Sequence, residues 1–366
     1  MAGIYVHIPF CKSRCIYCDF YSTTGLEGVE DKYIDCILHE KKLRESFLHD
    51  KDIKTIYIGG GTPSVMSLNN LTRLKNGLGD AQEVTVECNP DDMNGDLADT
   101  LSNIGVNRVS LGVQTFSDSR LRLLRRRHTS IQVFSAIDIL KKVGINNISI
   151  DLIFGFPNET MQEWEYDIKN ALSLDVQHIS AYSLMYEDGT PLHKMLKRGI
   201  VEKCDDSLSL AMYEMLIDEL AEAGYEHYEI SNFARKGFHS RHNHGYWTGE
   251  EYLGLGAAAH SYNTIRRQWN VSNVHEYIDR IKNNVIPADG EDIDEVTRYN
   301  DIVTTALRTR NGILLSSLLP KYRNYIMENV QKSLANGTAT IDHDRLRLTR
   351  KGLFVSDDVM SDLIFI

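Results

Sequence analysis

The chain has 366 residues, 42% of them hydrophobic, enough for one large domain and a smaller one. Its net charge of −11 argues against a phosphate-backbone partner, so nucleic acid is not expected. No apolar run approaches the roughly eighteen residues of a membrane span, and no charged–apolar–small leader precedes the first strand-like segment, so a cytoplasmic protein is expected. Six cysteines do not make a disulfide framework in a chain of this size. Cys11, Cys15 and Cys18 are clustered, whereas Cys36, Cys88 and Cys204 are scattered and read as buried or incidental thiols.

In chain order, β-like runs at 4–8, 55–58, 84–87, 108–113, 148–153 and 179–184 alternate with helical patterns at 31–44, 68–78, 97–104, 131–143 and 161–174. Gly105 and Gly144 sit just past two of the helical patterns, as helix stop signals do. Successive β-then-α units imply parallel strands joined by right-handed crossovers. A closed eight-stranded barrel needs two further units, and none is legible before residue 225. The expected fold is therefore α/β: a partial (β/α)6 TIM-like barrel over residues 1–235, with a linking segment over 236–272. Residues 273–366 turn helical and polar, with a helix-like 316–328, a hairpin of 338–341 and 346–349, and a helix from Lys351. That order suggests a C-terminal winged-helix-like domain. Such modules often bind DNA, but the acidic balance and the lack of a basic recognition helix weigh against it here.

The chemistry-bearing stretch is Cys11-Lys-Ser-Arg-Cys15-Ile-Tyr-Cys18, a C-x3-C-x2-C loop directly after the first strand. Three thiolates on one loop can hold three corners of a cubane iron–sulfur cluster. Such clusters usually take four cysteine ligands, so an incomplete set leaves one iron open to a small molecule, as an open zinc site is. Two other readings stand beside it: a zinc knuckle completed by Asp19, His7 or a remote histidine, and three ordinary thiols. In barrels of this kind functional residues collect at the carboxyl ends of the strands. The cysteine loop, Gly59-Gly60-Gly61-Thr62, Glu87 and Gln114 all fall at such ends, and Asp151 lies within the fifth strand. The triglycine permits close approach of a ligand to the main chain, or simply a turn. Glu87 and Asp151 are acids in apolar strands, costly unless paired with a cation or a ligand. The run Arg125-Arg126-Arg127-His128 would by itself read as a solvated face.

The cysteine spacing, Tyr5-Val-His-Ile-Pro-Phe-Cys11 before it and Tyr17-Cys18-Asp19-Phe20 at its end resemble the radical S-adenosylmethionine (SAM) superfamily. They are most similar to the branch that contains oxygen-independent coproporphyrinogen III oxidase and a haem chaperone. The resemblance implies a [4Fe–4S] cluster on Cys11, Cys15 and Cys18, with SAM on the open iron. It also implies SAM contacts from Tyr5, Phe20, Gly60, Gly61, Thr62, Glu87, Gln114, Arg126 and Asp151. Arg126 would meet the SAM carboxylate, for which a fork-shaped guanidinium is well suited; Arg125 and Arg127 are surface candidates. An electron donor is implied if radical chemistry occurs.

Three departures separate the chain from the oxidase pattern. Phe20 stands where the oxidase carries a fourth cysteine, Tyr5 lies almost at the start where a covering segment is expected, and His260 replaces an aliphatic contact to a second SAM. In their place the chain has His242-Asn-His-Gly-Tyr246-Trp247, which resembles a block of the haem chaperone. Neutral imidazole is a good axial ligand for haem iron, and aromatic rings can cover the macrocycle; a single histidine also serves as a hydrogen-bonded structural residue. His242 is the first candidate ligand, with His239, His244 and His260 in reserve. The expected function is uptake of haem and its transfer to an acceptor protein, a membrane respiratory enzyme included, which would bring the protein to the bilayer surface. The alternatives are an oxygen-independent coproporphyrinogen III oxidase or related tetrapyrrole radical enzyme, and a zinc-stabilised interaction protein.

Overall fold

The computed structural model describes residues 2–25 and 28–366. The apolar runs become six parallel strands: β1 (Ala2–Ile8), β2 (Ile53–Gly60), β3 (Glu83–Cys88), β4 (Arg108–Gln114), β5 (Asn147–Phe154) and β6 (His178–Ser183). The crossovers are α1 (Glu30–Leu43), α2 (Leu68–Leu78), α3 (Gly95–Asn103), α4 (Asp118–Leu123) with α5 (Ser130–Lys142), and α6 (Met161–Ser173). Local chemistry sets these boundaries. The Ser67 side chain accepts the Asn70 N–H at the start of α2, and Thr160 and Glu163 form a reciprocal capping box at the start of α6. Strand residues such as Ile4, Ile56, Val86, Val109 and Ile150 are fully buried, because crossover helices cover one face and the barrel interior the other. The result is the expected partial barrel.

The sheet continues past both of its expected edges. After α7 (Pro191–Lys197) and α8 (Asp206–Glu222), the short strand β8 (Asn232–Ala234) adds antiparallel to β6, and β7 (Glu226–Glu229) pairs antiparallel with β8. On the other side, α9 (Arg241–Thr248) leads into β9 (Glu251–Leu255), which pairs parallel with β1. Three antiparallel strands follow: β10 (His260–Tyr262), β11 (Arg266–Asn270) and β12 (Ala288–Asp292). The segment expected as a linker over 236–272 therefore holds a helix and three strands that extend the sheet.

A buried ion pair fastens this extension to α1. Arg44 and Glu40 lie 3.2 Å apart, and the pair is repaid by neutral partners on every side. Arg44 donates to Gly254 O (3.1 Å), Ser261 Oγ (3.1 Å) and Gln268 Oε1 (2.7 Å). Glu40 accepts from the Gly256 N–H (2.9 Å), Asn270 Nδ2 (2.8 Å) and the Tyr277 hydroxyl (2.7 Å). Tyr277 belongs to α10 (Val274–Lys282), whose apolar face packs into the barrel's own core. The boundary expected at 272/273 is thus displaced: α10 and β12 belong with the barrel. A second core starts at Tyr299, in α11 (Glu295–Ala306), and includes residues of α12 (Pro320–Asn329). Its small sheet has the order β13 (Ile313–Leu314), β15 (Arg345–Leu348), β14 (Ala339–Asp342). Among the described residues no helix is long and apolar enough to cross a membrane.

Candidate functional site

A cavity of ≈ 700 Å³ occupies the barrel mouth. Cys11, Cys15 and Cys18 line it, and so do all nine positions matched to SAM contacts: Tyr5, Phe20, Gly60, Gly61, Thr62, Glu87, Gln114, Arg126 and Asp151. Residues spread over five strands and their loops converge on one space because parallel strands present their carboxyl ends on one side.

The cysteine loop is pinned from several directions. The Cys11 N–H donates to Thr23 O (3.0 Å), the Ile16 N–H to Leu124 O (3.2 Å) and the Cys18 N–H to Cys15 O (3.4 Å). Burial pushes the Cys11 thiol up, and pushes Cys18 up to about 11. These sulfurs hold their protons until a metal replaces them. Two groups are already aimed at sulfur: Arg126 Nη1 donates to Cys15 Sγ at 3.5 Å, and Thr62 Oγ1 lies 3.5 Å from Cys11 Sγ. Among the described residues no three His, Cys, Asp or Glu side chains are gathered tightly enough for a single metal ion. His7, a candidate fourth zinc ligand, has both ring nitrogens engaged, with the Tyr5 hydroxyl (3.0 Å) and Tyr21 O (2.8 Å).

Arg126 is the hinge of the anion side. Its Nη2 donates to Asn89 Oδ1 and to Gly112 O, each at 2.6 Å, while its Nε is buried with no partner. A buried orphan donor on a guanidinium marks a place for a carboxylate. Arg127 differs from its expected surface role: it pairs with Asp91 (2.9 Å) and Asp92 (3.0 Å) and anchors the loop after β3. Gln114 takes φ +70° at a register shift in β4. Glu87 accepts from the Tyr57 hydroxyl (2.7 Å) and the Gly60 N–H (3.0 Å), which holds the triglycine turn in place. Gly60 has φ +110°, and a Cβ there would meet the His7 ring at 2.7 Å. Burial pushes Glu87 up to about 7 and Asp151 up to about 6.

Asn89 and Arg108 line the same cavity and were not anticipated. Arg108 is 1% exposed, with Nε and Nη1 unpartnered, and its charge opposes the rise of both acids. It opens an apolar strand, so the signal that picked out Glu87 was present there too.

The histidine motif behaves differently from expectation. His242 is 4% exposed and does not line the mouth cavity. Its Nδ1 is 2.8 Å from Thr55 Oγ1 and its Nε2 is 2.8 Å from the Tyr246 hydroxyl, so both nitrogens are spent. Burial drops its pKa to about 3, and the ring is neutral. His242, the first candidate haem ligand, thus has no ring nitrogen without a hydrogen-bond partner. Its neighbours Tyr246 and Trp247 do reach a second cavity of ≈ 1030 Å³, between β9–β11 and the segment from α11 to β13. Tyr5, Asp19, Phe20, Tyr246 and Trp247 line both cavities and form their common wall.

An open barrel with three cysteines and an unspent arginine at its mouth defines a radical SAM protein. Residues 5–171 match the model of the Radical SAM superfamily. The chain is 35% identical to the haem chaperone HemW of Lactococcus lactis over 98% of this chain and 96% of that protein. It is also 35% identical to HemW of Bacillus subtilis, over 98% of each. The chain belongs to the haem chaperone HemW family. Its fold matches that of coproporphyrinogen III oxidase (HemN) from Escherichia coli, described as a radical SAM enzyme, with a TM-score of 0.85. That match is 21% identical and covers 99% of this chain and 90% of the other.

Proposed function

We propose that the protein is a haem chaperone that carries a [4Fe–4S] cluster and SAM, takes up haem and passes it to an acceptor apoprotein. Near-full-length likeness to proteins named haem chaperones supports the reading. The observation that carries it is the second, aromatic-lined cavity sharing a wall with the cluster loop, since ligand pockets of this size are lined mainly by apolar and aromatic groups.

Cys11, Cys15 and Cys18 would hold the cluster, which when bound supplies an iron with one free coordination position. Arg126 would meet the SAM carboxylate with its unspent Nε, and the turn at residues 60–62 would let the amino end approach the main chain. Glu87 and Asp151 are placed to accept hydrogen bonds from hydroxyls or an ammonium. Tyr5 and Phe20 would shield the nucleotide from the second cavity. An electron donor is required only if SAM is cleaved. A membrane respiratory enzyme remains a suitable class of acceptor.

The test is a haem titration of the full chain, reconstituted anaerobically, followed by mixing with an apo-haemoprotein. A saturable Soret band that decays as holo-acceptor forms is expected. The competing reading is the oxidase, favoured by the HemN fold but lacking a fourth cysteine at Phe20. Incubation with coproporphyrinogen III, SAM and a reductant decides between them: vinyl-group formation overturns the chaperone.

A further inference from the structure

The second cavity is built from alternate residues of a small sheet. On β10, His260 and Tyr262 face it; on β11, Arg267 and Trp269 do; Tyr252 joins them from β9. The intervening Ser261 and Gln268 point the other way, to Arg44. Strand side chains alternate between faces, so that buried arginine fixes the register that turns the imidazole and indole into the cavity. A slip of one residue would turn them away. His260 and Trp269 are direct cross-strand partners, with ring centroids 6.3 Å apart.

Across the cavity stand Ile302 and Ala306 of α11, with Ile313 and Leu314 of β13, an aliphatic wall facing an aromatic one. At the rim, Arg345 spends one hydrogen bond on Asn311 O (3.3 Å) and has no acidic side chain in ion-pair contact among the described residues. Arg267, by contrast, is held by Asp301 (2.6 Å) and Glu291 (3.1 Å). An aromatic wall facing an aliphatic one, one imidazole without a hydrogen bond and one guanidinium without an acidic partner match a planar macrocycle with a central metal and carboxylates along one edge.

The choice among histidines follows from which lone pairs remain. His7 and His242 have both ring nitrogens hydrogen-bonded. His239 is engaged with Glu226 at 3.0 Å, and neither it nor His244 lines the cavity. His7 and His260 line it, and of these two only His260 has a ring that makes no hydrogen bond among the described residues.

We propose that His260 is the axial ligand of the haem cargo, which lies between β9–β11 and α11 with its propionates toward Arg345. This rests on the chaperone reading and adds to it where the cargo sits and what holds it. The cargo is then outside the barrel, separated from the SAM space by Phe20, Tyr246 and Trp247.

The full-length reconstituted protein is titrated with ferric haem as wild type, His260→Ala, Arg345→Glu and His242→Ala. His260→Ala is expected to weaken haem binding by about tenfold or more, as loss of a metal–ligand bond should, and to move the Soret band. Added imidazole restores the wild-type band, while iron, sulfide and SAM affinity stay unchanged. Arg345→Glu weakens binding with no spectral change, and His242→Ala keeps the wild-type band. A His260→Ala protein with wild-type spectrum and affinity overturns the ligand assignment, and an unaffected Arg345→Glu overturns the orientation. A wild type that binds no haem removes the chaperone reading and this seat together.

Discussion

Thr55 and His242, 187 residues apart in the chain, are joined by a 2.8 Å hydrogen bond between Oγ1 and Nδ1 with both side chains buried. Tyr57 stacks on the imidazole at 5.2 Å, and the His242 N–H donates to Glu83 Oε1 at 3.0 Å. The ring is a keystone between β2 and α9. His242→Ala strands the Thr55 and Tyr246 hydroxyls and leaves a cavity, which should cost about 2–4 kcal/mol and lower Tm by several degrees. A thermal melt checks the loss. Full stability together with a shifted haem spectrum would return the ligand role to this residue.

Each of Cys11→Ser, Cys15→Ser and Cys18→Ser should abolish the cluster absorbance and most of the iron and sulfide of anaerobically reconstituted protein. Cys36→Ala and Cys204→Ser should leave them intact, because neither cysteine lines the mouth cavity. Equal iron content in all five proteins would remove the cluster.

Arg126→Lys keeps the charge but loses the fork that reaches Asn89, Gly112 O and Cys15 together. SAM affinity measured by calorimetry should fall by roughly tenfold or more. Arg125→Lys should bind SAM as the wild type does, since Arg125 is exposed at the cavity rim. Identical affinities in both variants would take the carboxylate away from Arg126.

The buried acids give stability a definite pH slope. Burial raises Glu87 to about 7 and Asp151 to about 6 in the folded protein. Below roughly pH 3 each is neutral in both folded and unfolded chains, so neither costs anything. As pH rises from there to about 7, the unfolded chain releases these protons and the folded one keeps them, so stability falls. Above that window the cost is complete, of the order of 3 kcal/mol for Glu87. Glu87→Gln should therefore show a smaller Tm difference between pH 5 and pH 8 than the wild type. An unchanged difference would mean that Glu87 is ionised in the fold.

Much of this architecture is legible in the chain itself. The six strand-and-helix units rest on apolar periodicity and on caps such as Ser67 and Thr160, all read within a few residues of one another. The edge strands β7 to β12 were not legible, because they are three to five residues long and mix aromatic with charged side chains. They hold as strands through what they pair with and through Arg44 and Glu40, which reach them from α1. The expected boundary at 272/273 failed for the same reason: Tyr277 is tied to Glu40, a relationship across 237 residues.

By itself the sequence determined the open barrel, the three-cysteine loop and the acidic and glycine positions around it, because spacing along a strand or loop fixes where those groups emerge; Arg126 was singled out only by the family resemblance. Only the tertiary structure decided which histidine is free. On paper His242 ranked ahead of His260, yet a lone pair is available only where no folded neighbour has taken it. Thr55 and Tyr246 claim both nitrogens of one ring, while the register set by Arg44 turns the other, unclaimed, into an aromatic cavity.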